Sequence, residues 1–97
     1  MSYRTELTPP AKAEIRALSG YLRSQALKLI SALGEDPRPP RAKELRGQPN
    51  LFRIWLAGRW RIVYEVDAEN QCVLILRVRT KEQIDYGSVA PWTKRDA

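Results

Sequence analysis

The stretch RIWLAGRWRIVYEV, residues 53–66, decides the fold of this chain. On each side of Gly58, apolar residues alternate with arginine, which is typical of two β-strands joined by a tight turn. A shift of one residue in the pairing would mix apolar and charged side chains on both faces. We therefore predict a three-residue turn, residues 57–59, which places Leu56 opposite Trp60 and leaves one face apolar.

A third strand continues this pattern after a polar turn. The three predicted strands are about 51–56, 60–66 and 72–79. With Val66 opposite Cys72, all even-numbered strand positions are apolar and are predicted to face the core. The odd-numbered face then carries a group of basic and aromatic side chains: Arg53, Trp55, Arg59, Arg61, Arg77 and Arg79.

The segment before the hairpin has helical periodicity. Apolar residues recur there at spacings of three and four, with an interruption at Gly20, so two helices are predicted at about 10–18 and 21–33. Gly34 is predicted to cap the second helix. With a β-like run at residues 3–7, the order is β-α-α-β-β-β. This order predicts an α+β fold in which a helical hairpin packs on one face of a mainly antiparallel sheet.

The composition limits the classes of protein to which the chain can belong. Its 97 residues are expected to form a single domain, 1–97, with an ordered core of about 3–86 and a loose tail, 87–97. The net charge of +6 favours an anionic partner. With no histidine and a single cysteine, neither an internal disulfide, a metal site nor a cofactor is expected. No apolar stretch suits a membrane span or a signal peptide, so a cytoplasmic location is expected.

The basic face is unusual for a surface that is merely solvated. Like charges on adjacent strands repel, and the predicted register places Arg61 across from Arg77, with Glu65 as the one strand carboxylate on that face. Clustered arginine with tryptophan suits phosphate binding and base stacking. The candidate RNA-binding residues are Lys43, Arg46, Trp55, Arg59 and Arg77. The alternatives are a plain basic surface and, with weaker support, a membrane surface.

Several short motifs, in this order and spacing, resemble the RelE/ParE superfamily of toxins from bacterial toxin–antitoxin systems. They are Leu45-Arg46-Gly47, Phe52-Arg53-Ile54, Gly58 and Arg61-Ile62-Val63-Tyr64. The resemblance extends over about residues 3–86 and implies the same β-α-α-β-β-β fold. It also implies a cognate antitoxin protein as a partner.

Members similar to RelE are implied to be ribosome-dependent mRNA endonucleases, which cut through attack of a ribose 2′-OH on the adjacent phosphate. The resemblance then implies a positioning or acid–base role for Arg53 and phosphate stabilisation by Arg61. It implies stacking or acid–base chemistry for Tyr86, and Arg79 or Lys81 as the basic residue after the last strand. Because an arginine is essentially never deprotonated, Lys81 and Tyr86 are the better candidates for a general base.

Two other functions stay open from the sequence. A ParE-like protein would inhibit a DNA topoisomerase by binding it, without catalysis, and an inactive relative would act only as a co-repressor with its antitoxin. Trp55 stands where some RelE-like members carry a second lysine, and the absence of that lysine favours the topoisomerase inhibitor. The arginine face together with Tyr86 favours the nuclease, whose partners would be the ribosome and mRNA.

Overall fold

A computed structural model of the chain describes residues 2–84 and shows two helices on a five-stranded sheet. In chain order the elements are β1 (Arg4–Leu7), α1 (Pro9–Arg16), α2 (Gly20–Glu35), β2 (Lys43–Glu44), β3 (Leu51–Ala57), β4 (Trp60–Asp67) and β5 (Cys72–Thr80). The sheet order is β1-β5-β4-β3-β2, in which only β1 and β5 are parallel. The predicted α+β fold is confirmed, with β2 as an additional short strand. The predicted tail, 87–97, lies outside the described residues.

Hydroxyl side chains cap both helices at their N-termini. The Thr8 hydroxyl accepts a hydrogen bond from the Ala11 N–H at 3.4 Å, and it donates to the Ile75 carbonyl of β5 at 3.1 Å. Ser19 accepts from the Leu22 N–H at 3.3 Å. Each cap satisfies an N–H group that the first helical turn leaves unpaired, and Thr8 also ties α1 to the sheet.

Within residues 2–84, neither helix is long and apolar enough to cross a membrane.

Gly34 has a different role from the predicted C-cap. It lies inside α2, which continues to Glu35, and it is buried against the start of the chain. A Cβ atom at this position would lie 2.9 Å from the Tyr3 carbonyl oxygen and 3.1 Å from Thr5 Cγ2. The Tyr3 N–H donates to the Gly34 carbonyl at 2.7 Å. The glycine is therefore needed for close approach between α2 and the segment that leads into β1.

The sheet is buried on both faces over part of its area. The main core, between helices and sheet, contains residues such as Ile15, Ala26, Ile30, Leu33, Ile54, Ile62, Tyr64, Val73, Ile75 and Val78. A second cluster contains Leu45, Leu51, Val63, Cys72, Leu74 and Leu76. Cys72 is a core residue as predicted, but it belongs to the second cluster and not to the helix-facing side. Its burial raises the pKa of the thiol, which keeps the thiol protonated and unreactive.

The β3–β4 hairpin has the predicted register in its central part and a different turn. The strands pair as predicted from residue 52 to residue 55, but the pairing then shifts and places Ala57 opposite Trp60. The predicted Leu56–Trp60 pair is therefore wrong, and the turn consists of Gly58 and Arg59. Gly58 has a φ of +53°, which an L side chain rarely adopts, and the extra residue in β3 accommodates the shorter turn.

A second irregularity, in β5, changes which side chains face the helices. Val63 pairs with Arg77 while its neighbour Tyr64 pairs with Ile75, so Leu76 is an extra residue in β5. Even-numbered positions face the helices in β3 and β4, as predicted. In the first half of β5 the odd-numbered residues do so instead, because the extra residue reverses the alternation.

Tyr64 anchors the connector between α2 and β2. Its ring is fully buried and stacks on Phe52, with the ring centroids 5.5 Å apart. Its hydroxyl donates to the Pro37 carbonyl at 2.8 Å. Burial raises the pKa of the phenol, so that it remains a donor. The proline-rich connector has few backbone donors of its own, and this hydrogen bond fixes its path over the sheet.

We expect Gly34→Ala to lower the free energy of unfolding by about 1–3 kcal/mol, because the added methyl group would clash with the backbone at Tyr3. Gly20→Ala is the matched control, since a Cβ there meets no atom within 4 Å and alanine favours the helix. Urea denaturation of both variants measures the difference. Equal stability of the two variants would contradict the close approach.

Candidate anion-binding site

A pocket of about 210 Å³ opens on the face of the sheet that does not carry the helices. It is lined by Arg41, Lys43, Arg53, Ile54, Trp55 and Arg61. Four of these side chains are cationic, and no carboxylate lines the pocket within the described part of the chain. This cavity is the basic pocket.

Strand pairing brings most of the basic pocket together. Lys43 of β2 lies directly opposite Arg53 of β3, and Trp55 lies opposite Arg61 of β4. Directly opposed residues share a face, and so do residues two apart on one strand. These four side chains were all candidate site residues in the sequence, and the structure places them around one cavity.

Arg41 is a member of the basic pocket that the sequence analysis missed. It belongs to the proline-rich connector, whose irregular backbone has no periodicity from which a face could be predicted. The contact between Tyr64 and Pro37 and the pairing of β2 with β3 bring Arg41 to the rim of the pocket. The high proportion of arginine in this connector was the one available signal.

Arg61 is held rigidly in the wall of the pocket. It is only 8% exposed, and its Nη1 donates to the Trp60 carbonyl at 3.2 Å and to the Gly58 carbonyl at 3.5 Å. Its guanidinium carbon lies 4.6 Å from the centroid of the Trp55 ring. The cation therefore contacts an aromatic face on one side and turn carbonyls on another, both of which favour positive charge.

Glu14 of α1, which the sequence analysis did not single out, compensates two other arginines. Arg61 lies opposite Arg79, so the predicted pairing of Arg61 with Arg77 is wrong. The pairing is shifted by one residue at the β4–β5 turn, where Asp67 and not the predicted Val66 lies opposite Cys72, and by one more at the extra residue in β5. Glu14 forms ion pairs with Arg79 and, at 3.4 Å, with Arg77. It also accepts the Val78 N–H at 2.8 Å, on the edge of β5 beyond the end of β1.

The remaining predicted site residues that the structure describes do not line the basic pocket. Arg59, in the hairpin turn, pairs with Glu82 at 3.2 Å, and its carbonyl accepts the Lys81 N–H at 2.7 Å. The backbone N–H of Glu82 and the nearby Arg59 lower the pKa of that carboxyl. Arg46 is exposed in the turn before β3. Tyr86 lies outside the described residues.

The distribution of ion pairs gives the basic pocket a positive potential. Among residues 2–84, the ion pairs involve Arg4, Arg59, Arg77 and Arg79, and none involves Arg41, Lys43 or Arg61. Cations that share a small cavity repel one another, and an anion bound between them would remove that repulsion. The arrangement therefore suits a ligand with phosphate groups, which guanidinium groups bind with paired hydrogen bonds.

Comparison with known proteins agrees with the fold and its sequence motifs. Residues 5–85 match the family described as ParE toxin of type II toxin-antitoxin system, parDE. The chain belongs to this toxin family. A comparison with curated proteins gave no significant match.

Solved structures place the toxin within the wider RelE/ParE superfamily. The isolated E. coli RelE toxin is 30% identical, with a TM-score of 0.75 over 90% of this chain and 93% of that chain. A chain of the intact E. coli RelBE toxin-antitoxin complex is 31% identical, with a TM-score of 0.73 over 81% and 96% of the two chains. A chain of the Mycobacterium tuberculosis RelBE2 complex, at 24% identity, has the same fold with a TM-score of 0.72, covering 82% of this chain and 99% of that chain.

We expect Glu14→Ala to destabilise the toxin by about 1–3 kcal/mol, because it leaves the Val78 N–H without its acceptor and two arginines without their carboxylate. Glu6→Ala is the control, since Glu6 pairs with Arg4 on the open surface and such pairs contribute little. Thermal melts of both variants measure the effect. A Glu14 variant as stable as the Glu6 variant would mean that the edge of β5 needs no cap.

Proposed function

We propose that this chain is the toxin of a type II toxin–antitoxin system and acts as a ribosome-dependent mRNA endonuclease. The observation that carries the proposal is the basic pocket, in which Arg41, Lys43, Arg53 and Arg61 surround a cavity on an open sheet face. The similarity to E. coli RelE over 90% of the chain supports the same reading. A phosphate of the mRNA backbone is the anion that we assign to the pocket.

Cleavage by attack of a ribose 2′-OH on the adjacent phosphate needs charge stabilisation more than any other contribution from the protein. The phosphate gains negative charge as the 2′-oxygen approaches, and fixed cations stabilise that charge without reorganising. Arg61 fits this role because its contacts with Trp55 and the turn hold it in place. Arg53 and Lys43, paired across β3 and β2, would orient the phosphate for in-line attack.

Proton transfer in this reaction needs groups other than the pocket arginines, which remain protonated. We propose Lys81 and Tyr86 as the candidates. Lys81 is exposed in the turn that follows β5, where its backbone is bonded to the β3–β4 turn. Arg79 has a supporting role in this scheme, because Glu14 compensates its charge and restrains its side chain.

A cognate antitoxin is the second partner that we propose. Two of the similar structures are toxin–antitoxin complexes, and the charge of this toxin favours an acidic segment. Such a segment would place carboxylates in the basic pocket and neutralise it, and a segment that orders on binding could cover a large area. Co-expression with the antitoxin is then expected to relieve growth arrest.

Inhibition of a DNA topoisomerase is the alternative function, and the match to the ParE family favours it. Induction of the toxin followed by mapping of mRNA 5′ ends separates the two. Cuts phased with codons inside translated frames are expected for the nuclease. Intact mRNA accompanied by DNA damage would overturn the nuclease proposal in favour of the topoisomerase inhibitor.

We expect Arg41→Gln and Lys43→Gln each to weaken RNA binding and to lower the slope of log affinity against log salt by about 0.7, the value for one phosphate contact on a single strand. Neither residue forms an ion pair within residues 2–84, so folding should be unaffected. Lys28→Gln, on the exposed face of α2, is the matched control. Titrations at several salt concentrations measure the slopes. Equal changes in all three variants would indicate diffuse charge and not a site.

A further inference from the structure

Trp55 is an exposed tryptophan at the rim of the basic pocket. It remains 59% exposed, although it lies in the middle of β3, next to the buried Ile54 and opposite the buried Arg61. Among the described residues, the other large exposed apolar side chains are Tyr21 and Leu27, both on α2. An indole that only completed the fold would be expected to bury most of its area, since its contribution to stability depends on burial.

One side of the Trp55 ring is already occupied. The Arg61 guanidinium stacks against it at 4.6 Å and is itself fixed by the carbonyls of the hairpin turn. The indole is thus held in one orientation before any ligand arrives, and the rest of its surface is open to solvent. A rigid aromatic platform loses little conformational entropy on binding, which favours affinity.

The platform lies next to the phosphate-binding side chains. Trp55 and Arg53 are two residues apart on the same face of β3, a separation of about 6.6 Å along the strand. Both line the basic pocket together with Arg41 and Lys43. A nucleotide whose phosphate lies among these cations could therefore place its base on the exposed indole.

We propose that Trp55 forms a base-stacking subsite in which a nucleobase, preferably a purine, extends the stack of indole and Arg61 guanidinium. This subsite rests on the proposed function, since it specifies how the same pocket holds single-stranded RNA. Every base has a π-face, so stacking tolerates sequence, and the larger area of a purine gives the preference. Some RelE-like members carry a lysine at the position of Trp55. In this chain an aromatic ring that contacts the base would take the place of that charge.

The test uses the full chain and probes that the toxin cannot cleave. Binding of 2′-O-methyl hexaadenylate and hexauridylate is measured by fluorescence anisotropy, and binding of tripolyphosphate, which has no base, by calorimetry. The variants are Trp55→Ala, Trp55→Phe and the matched control Tyr21→Ala, which removes an exposed aromatic ring on α2.

For Trp55→Ala we expect hexaadenylate affinity to fall about 5- to 150-fold, which is the equivalent of one base–aromatic stack. The affinity for hexauridylate should fall less, and the affinity for tripolyphosphate should fall by less than about 2-fold. Trp55→Phe should restore part of the affinity for hexaadenylate. Tyr21→Ala should bind all three probes as the parent does. An equal loss for tripolyphosphate would overturn the proposal, because Trp55 would then act only by holding Arg61. Unchanged hexaadenylate binding would overturn it as well.

Failure of this inference and failure of the proposed function give different results. If codon-phased cuts occur in cells and Trp55→Ala cuts the same sites at the same rate, the nuclease stands and the stacking subsite is refuted. If no cuts occur but Trp55→Ala loses base-dependent binding, the subsite stands and the assigned reaction is refuted.

Discussion

The extra residue in β5 is the feature on which both the core and the charged surface depend. Because Leu76 has no partner in β4, the alternation of side chains reverses within one strand. Before this point Val73 and Ile75 face the helices, and after it Val78 does. The same displacement places Leu74 and Leu76 in a second apolar cluster on the opposite face. Without the extra residue, the apolar side chains of β5 could not be divided in this way between the two clusters while Arg77 and Arg79 stay partly exposed at the end of the strand.

The charges on the sheet are compensated unevenly. Arg77 and Arg79 share Glu14, which also satisfies the edge of β5 where β1 no longer covers it. On the β2–β3 side, the basic pocket gathers Arg41 and Lys43 beside Arg53 without a lining carboxylate among the described residues. Glu14 thus compensates the two arginines of β5, and the basic pocket keeps its positive potential.

Rigidity is a shared property of the parts that form the basic pocket. Arg61 is fixed by the turn and by Trp55, and the connector that carries Arg41 is fixed by the Tyr64 hydroxyl. Binding and catalysis both gain when cations are already oriented, because no free energy is then lost in ordering them. The proposed nuclease activity and the proposed base-stacking subsite both draw on this property.

The sequence by itself determined the fold class, the order of the main elements and the central register of the β3–β4 hairpin. Apolar periodicity is local, so it predicts helices and strands. In the hairpin, one register of Phe52 to Trp55 against β4 places the apolar side chains of both strands on the same face, and the structure has that register. The same alternation correctly grouped Arg53, Trp55 and Arg61. What it could not predict were the extra residue in β5, the two-residue turn at Gly58 and the close approach at Gly34. Those features depend on how strands twist and how distant segments meet. For the same reason, only the tertiary structure decided that Glu14 joins Arg79 and that Arg41 joins the basic pocket: both contacts link residues far apart in the chain, which no local pattern records.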